Sequence, residues 1–268
     1  MPLAVCATPI GNLDDVTLRV LDELRSADIV LAEDTRHTRG LLERHGIRAR
    51  LLSLHEHNEA GRVAEIIGLL AEGKRVALVS DAGLPAISDP GALIVRAAIA
   101  ADAPVTVLPG PSSVETALVA SGLVSERYLF VGFLPRRQAE LGALWVELAG
   151  WRWPVVAFES PKRLPASLRS LAAVSPDREV AVCRELTKRF EEIVRGRAAD
   201  LADRFSEPPR GEITVVVGAD TPRSGSDPAI AVEAVAELVA AGAPRKAAVD
   251  VVARLTGVSR NDLYRGSL

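Results

Sequence analysis

Short apolar runs of strand length alternate with helical periodicities through the first half of the chain. Residues 3–7 read as a strand, and residues 14–26 as an amphipathic helix opened by an acidic cap. Further apolar runs at 28–32, 76–79 and 105–108 are separated by helical stretches at 36–45, 60–72 and 90–101. Continuous apolar strands with helices between them predict a parallel sheet covered on both faces. Each predicted strand ends in a small or polar loop, at 8–12, 33–36, 80–83 and 109–112. Open α/β sheets bind ligands beyond the carboxyl ends of their strands, so these loops are expected to line a site.

The pattern changes near residue 121. Strands are predicted at 128–133, 155–158, 180–183 and 213–217, with a further one at 190–194, and helices at 138–149 and 161–174. That mixture predicts a second α/β domain. A polar stretch rich in Pro, Gly and Ser at 221–228 reads as a linker before a helix at 229–241 and a segment at 244–264. The expected organisation is a parallel α/β domain over 1–120, a mixed α/β domain over 121–220 and a helical extension over 228–268. Within the extension, 247–255, a Gly-containing turn at 256–260 and 261–265 read as helix, turn and helix. That pattern leaves open a DNA-binding regulator, against a small accessory bundle that packs on the core or contacts RNA.

Composition narrows the class. Apolar residues make up 48% and charged residues 25%, ordinary for a soluble globular protein. No apolar run approaches the roughly 20 residues needed to cross a bilayer, and residues 1–10 read as a strand rather than a secretion signal. A cytoplasmic protein without membrane partners is expected. The net charge of −3 argues against gripping nucleic acid through overall charge. Residues 135–197, however, carry 12 Lys and Arg against 8 Asp and Glu, which allows a local basic face. Cys6 and Cys183 sit in apolar runs and are read as buried, reduced thiols. With no CxxC, no structural zinc site is expected.

Candidate chemistry lies at the strand ends. No GxGxxG follows the first strand, so the usual dinucleotide phosphate loop is missing. The glycines fall instead in Asp81–Gly91 and in 109–113, two Pro/Gly loops that would let backbone approach a ligand closely. Asp34 or Thr35 suits a helix N-cap. Glu33 follows four residues of apolar strand and is expected to point into the cleft at the sheet's end. His55 and His57 form an HxH pair without an identifiable third ligand, so a polar loop is preferred to a metal site. Glu159-Ser-Pro-Lys-Arg163 and Cys183-Arg-Glu-Leu-Thr-Lys188 put charged residues directly after apolar strands, where they could meet phosphates. Pro161 also suits an ordinary helix start.

In order along the chain, Thr8-Pro-Ile-Gly-Asn-Leu13, Glu33-Asp-Thr-Arg36, His57-Asn-Glu59, Ser80-Asp-Ala-Gly83 with Ser88-Asp-Pro-Gly91, Leu108-Pro-Gly-Pro-Ser112, Gly132-Phe-Leu-Pro135, Glu159-Ser-Pro161 and Arg184-Glu-Leu-Thr-Lys188 resemble the ribosomal RNA small subunit methyltransferase I family. This is a branch of the tetrapyrrole methylase superfamily. The resemblance runs from about residue 3 to residue 266. It implies two α/β domains with a cofactor cleft between them, a homodimer, and S-adenosyl-L-methionine as cofactor. It also implies 2′-O-methylation of a cytidine in the decoding region of 16S rRNA, with the 30S subunit as partner. Carried onto this chain, the cofactor contacts fall at Pro9, Ala82, Gly83, Leu84, Ile87, Ser112, Ser113, Glu159 and Leu186, with Leu84 standing where the family has threonine. Glu33 is then the first choice of general base and Asp34 the second. Arg36 or Lys188 would orient the RNA, and Arg136, Arg137, Lys162 and Arg163 would contribute to its binding. A relative that methylates porphyrinoid carbon is the alternative the superfamily leaves open.

Overall fold

The computed structural model describes residues 3–220 and 228–267. Five strands, β1 (Leu3–Cys6), β2 (Ile29–Ala32), β3 (Leu51–Ser53), β4 (Val76–Val79) and β5 (Val105–Leu108), form an all-parallel sheet in the order β3-β2-β4-β1-β5. Helices α1 (Leu18–Ser26), α2 (Thr35–Arg44), α3 (Glu59–Ala71) and α4 (Ala92–Ala100) connect them. Successive strand residues point to opposite faces, and both faces of the three central strands, β1, β2 and β4, are buried. Ala4, Cys6, Val30 and Ala77 pack with Leu21 and Leu24 of α1 on one side. Leu3, Val5, Leu31 and Leu78 pack with Ile66 of α3 and Ile94 of α4 on the other.

Helix α5 (Ser113–Ser121) leads to the second sheet, β6 (Leu129–Phe133), β7 (Val155–Glu159), β8 (Glu179–Arg184), β9 (Glu192–Arg197) and β10 (Ile213–Val217). Its order is β6-β7-β10-β8-β9, with β6 parallel to β7 and the other pairs antiparallel. Helices α6 (Gln138–Glu147), α7 (Leu164–Val174) and α8 (Ala198–Arg204) cover one face around the buried Trp145. On the opposite face, Val114, Ala117 and Leu118 of α5 pack against Val156, Ala181, Cys183 and Val216.

Four details differ from the expectation. The helix expected from residue 14 is a 3-10 turn at Leu13–Asp15 followed by α1 from Leu18. No acid opens it: Thr17 caps α1, its Oγ1 accepting from the Val20 N–H at 3.2 Å. The three-residue edge strand β3 and the seven-residue α8 are too short to leave a periodic signal. Helix α5 lies on the second sheet, so by packing the change of body falls at the 109–112 loop, ahead of the expected division at 120.

The C-terminal helices α9 (Pro228–Ala240), α10 (Arg245–Thr256) and α11 (Arg260–Gly266) bury Val235, Val249, Val252 and Leu263 against one another. Gly257, at φ 72°, closes α10, and Ser259 caps α11 by accepting from the Asp262 N–H at 3.1 Å. Residues 221–227 of the expected linker lie outside the described residues. Among the described residues, no helix is long and apolar enough to cross a membrane.

Candidate active site

The carboxyl ends of β1, β2, β4 and β5 meet an edge of the second sheet made by the ends of β7 and β8 and the start of β10. Because β10 runs antiparallel to both neighbours, its first residues share that edge. Between the sheets lies a cleft of about 730 Å³, within the size range of small-molecule sites. Leu84, Ile87, Phe133 and Phe158 supply apolar surface, and Glu33, Asp81, Asp89 and Glu185 supply carboxylates.

The cleft depends on backbone placed by unusual loops. Thr8 and Gly83 exchange backbone hydrogen bonds of 2.8 and 3.1 Å, tying the loop after β1 to the loop after β4. Gly83 sits at φ 79°, where a side chain is strained. Gly11 packs so closely on the loop after β8 that an added Cβ would lie 2.5 Å from Lys188 Cγ and 2.8 Å from the Leu186 carbonyl oxygen. The neighbouring Asn12 N–H donates to Thr187 Oγ1 at 3.0 Å. Ala86, Ser88, Glu185 and Thr187 all hold positive φ without being glycine. Such conformations persist only where the surroundings enforce them, and they gather at functional sites. Buried Glu59 contributes to that enforcement, accepting from the Gly91 and Leu93 N–H groups at 2.9 and 2.8 Å and so capping α4.

The electrostatics are set by carboxylates crowding one wall. Burial first, and then the charge of Asp81, raises the Glu33 carboxyl above its ordinary range. Burial and then Glu33 push Asp89 up to about 7. Asp81 Oδ1 accepts from the Asp34 N–H at 3.1 Å, which fixes the end of β2 against the β4 loop. Asp34 itself behaves differently. Its Oδ1 caps α2 by accepting from the Arg36 N–H at 2.8 Å, and its other oxygen meets Arg36 Nη2 at 2.8 Å. Those bonds hold its carboxyl well below the usual range.

A family model described as Tetrapyrrole (Corrin/Porphyrin) Methylases matches residues 2–202, and one described as RsmI C-terminal HTH domain matches residues 226–266. The chain belongs to the tetrapyrrole methylase family. Within it, this methylase is 44% identical over 265 residues to a Ribosomal RNA small subunit methyltransferase I from Micromonospora olivasterospora, covering 98% of this chain and 85% of that protein. The protein of the same name from Thermotoga maritima is also 44% identical, over 80% of this chain and 97% of its own. Among solved structures, a uroporphyrin-III-C-methyltransferase from Thermus thermophilus shares the fold with a TM-score of 0.59 at 24% identity, covering 81% of this chain and 94% of that one. A diphthine synthase does so with a TM-score of 0.61 at 17% identity, over 81% and 90%.

Of the residues singled out from the sequence, the methylase fold brings Glu33, Ala82, Gly83, Leu84, Ile87, Ser112, Ser113, Glu159, Leu186 and Lys188 to the cleft wall. Pro9 is buried behind it, and the neighbouring Ile10 lines the space instead. Asp34, Arg36, Arg136, Arg137, Lys162 and Arg163 do not line it. Arg137 pairs with Glu140 at 3.1 Å on an exposed helix start, and Arg136 and Lys162 are exposed. Arg163 is turned inward, bonded to Glu159 at 2.5 Å and to the Leu134 carbonyl at 3.0 Å. Lys188 is held by Glu185 at 3.1 Å and Glu212 at 2.9 Å. Neither arrangement was visible in the sequence. Among the described residues, no group of three His, Cys, Asp or Glu is placed to hold a metal ion.

Sequence reasoning missed Asp81 and Asp89 as individual residues, although both sit in quoted Pro/Gly loops. Their polarity inside otherwise small-residue turns was the available signal. Asp89 leads to a test. With its folded-state value near 7 rather than the ordinary 3.8, it holds a proton between those pH values that the unfolded chain has lost. Its contribution to stability is therefore full below the ordinary value and lost as pH rises through about 7. Asp89→Asn removes that dependence, so its melting temperature should gain on wild type as pH is raised from about 4 to about 8. A difference between the two proteins that stays flat with pH contradicts the assignment.

Proposed function

We propose that this methylase uses S-adenosyl-L-methionine to methylate the 2′-hydroxyl of a cytidine in the decoding region of 16S rRNA. The observation that carries the reading is the cleft itself, where close backbone loops and an apolar floor face carboxylates whose proton affinity is raised. Curated relatives named for small-subunit rRNA methylation, at 44% identity, support it over porphyrinoid methylation, which rests on neighbours below 25%. We further infer a cytoplasmic homodimer that meets its substrate in the 30S subunit.

The cleft suits a neutral adenosine with a short amino-acid tail: Gly83 and Ser113 offer backbone, while Leu84 and Ile87 offer apolar contact. The Ser112 hydroxyl is already donated to Glu115, which leaves that residue's backbone for a ligand. When bound there, the cofactor supplies an electrophilic sulfonium methyl. The chain's task is to align a weak ribose nucleophile and receive its proton. Glu33 is the acceptor at the cleft wall. Asp34, bonded to Arg36 and capping α2, keeps that end of β2 in place.

Incubating the protein with labelled cofactor and 30S subunits lacking the modification should place one methyl on a cytidine ribose in 16S rRNA. Absence of ribose label, or label only on a porphyrinoid substrate, rules the reading out.

A further inference from the structure

A second hollow, of about 560 Å³, opens beside the cleft where the loop after β1 meets the loop after β8. Its wall includes Arg44, Lys188, Arg189 and Asp14. Arg44 is paired with Asp14 and Lys188 with Glu185 and Glu212, while Arg189 is exposed. Lys188 lines both spaces, so the hollow continues the cleft outward. Arg44 stands forked on Asp14 at 3.0–3.2 Å, which keeps its guanidinium at the rim. Beyond the rim, Phe190 is 70% exposed, the Arg189 guanidinium lying 5.5 Å from its ring centre. The loop that carries both is anchored: Thr187 is left-handed, its N–H donates to Glu191 at 2.6 Å, and its hydroxyl accepts from Asn12. A large aromatic held out in water by a fixed loop contributes nothing to the core.

An exposed aromatic beside an exposed arginine, at the mouth of a cleft, is an arrangement that holds single-stranded nucleic acid. The cations track phosphates, and the ring stacks an unpaired base. We propose that this groove binds the unpaired RNA strand flanking the target nucleotide, with Phe190 stacking on one base, Arg189 meeting the backbone, and Arg44 exchanging Asp14 for a phosphate. The proposal rests on the rRNA reading above. It adds to the reacting cleft a site that selects single-stranded RNA by shape and charge. None of Arg44, Arg189 and Phe190 stood out in the sequence, where Arg44 falls at the end of the helix predicted over 36–45 and Phe190 opens the strand predicted over 190–194. The strand observed there starts at Glu192, which leaves Phe190 in the loop.

The test uses the full-length protein and unmethylated 30S subunits. Phe190→Ala should raise KM for subunits about tenfold, the scale of one base–aromatic stack, while affinity for S-adenosylhomocysteine stays at the wild-type value. Phe190→Trp should restore KM, because the requirement is for a ring. Arg189→Ala should reduce the slope of log Kd against log salt by about 0.7. A photoreactive phenylalanine at position 190 should crosslink to 16S rRNA within a few nucleotides of the methylated ribose. Crosslinking to ribosomal protein alone overturns the proposal, as does an unchanged KM in Phe190→Ala when wild type methylates normally. If wild type places no methyl on the subunit, the functional reading fails and the groove assignment fails with it.

Discussion

Glu33→Gln should lower the single-turnover rate of methyl transfer by about 10²–10⁴-fold, the usual worth of general-base assistance. The substitution keeps the size and polarity of the side chain and removes proton acceptance. Glu33 is the acid of its motif that reaches the cleft, and burial beside Asp81 raises its proton affinity. Cofactor binding and melting temperature should stay near wild type. Asp34→Asn is the matched control. Asp34 caps α2 and is forked by Arg36, and asparagine caps a helix about as well as aspartate. Its rate should therefore change only a few-fold. If Asp34→Asn is the crippled variant, the base is misassigned. If neither variant slows, proton acceptance lies outside this motif.

The second large effect concerns stability and is expected from Glu159→Ala. The Glu159 carboxylate is fully buried at the end of β7, where it accepts from the Ser160 N–H at 2.6 Å and the Ser167 hydroxyl at 2.5 Å and pairs with Arg163 at 2.5 Å. Removing Glu159 strands the Ser167 hydroxyl and one side of Arg163, which is 27% exposed and keeps its bond to the Leu134 carbonyl, so the cost is about 2–3 kcal/mol, below that of a pair buried on both sides. Denaturant unfolding should show a loss of that size. Cofactor affinity should fall as well, because Ser160 and Pro161 of the same turn line the cleft. Glu159→Gln, which can still accept from the backbone and the hydroxyl, should lose less of both. Equal stability of Glu159→Ala and wild type would show that the bonded cluster does not hold this turn.

The main body of the fold was legible because its strands are apolar on both sides. Runs such as Val76–Val79 bury every residue, so hydrophobicity alone marks them, and the intervening periodicities mark α2, α3 and α4. The second sheet followed from the same signal, as did the three C-terminal helices from their spacing and from the turn containing Gly257. Elements too short for a period, β3 and α8, left no trace. Helix α5 was lost for a different reason: it follows a Pro/Gly loop directly, and its apolar residues face a sheet formed later in the chain.

Which loops could carry chemistry is written in the local pattern, because small and polar residues placed directly after apolar strands must end at one edge of a sheet. That pattern also singled out Glu33, since a charged residue continuing a buried strand has to emerge at that edge. How the charges divide their work is a property of the folded molecule. Arg163 follows a strand as Lys188 does, yet it is turned inward to Glu159, while Asp89 comes to face Glu33 from a different strand's loop. The raised proton affinity of that pair depends on distance and burial across residues far apart in the chain, and the groove beside it forms where Gly11 allows two such loops to touch. Those are properties of approach in three dimensions, which no local pattern of residues encodes.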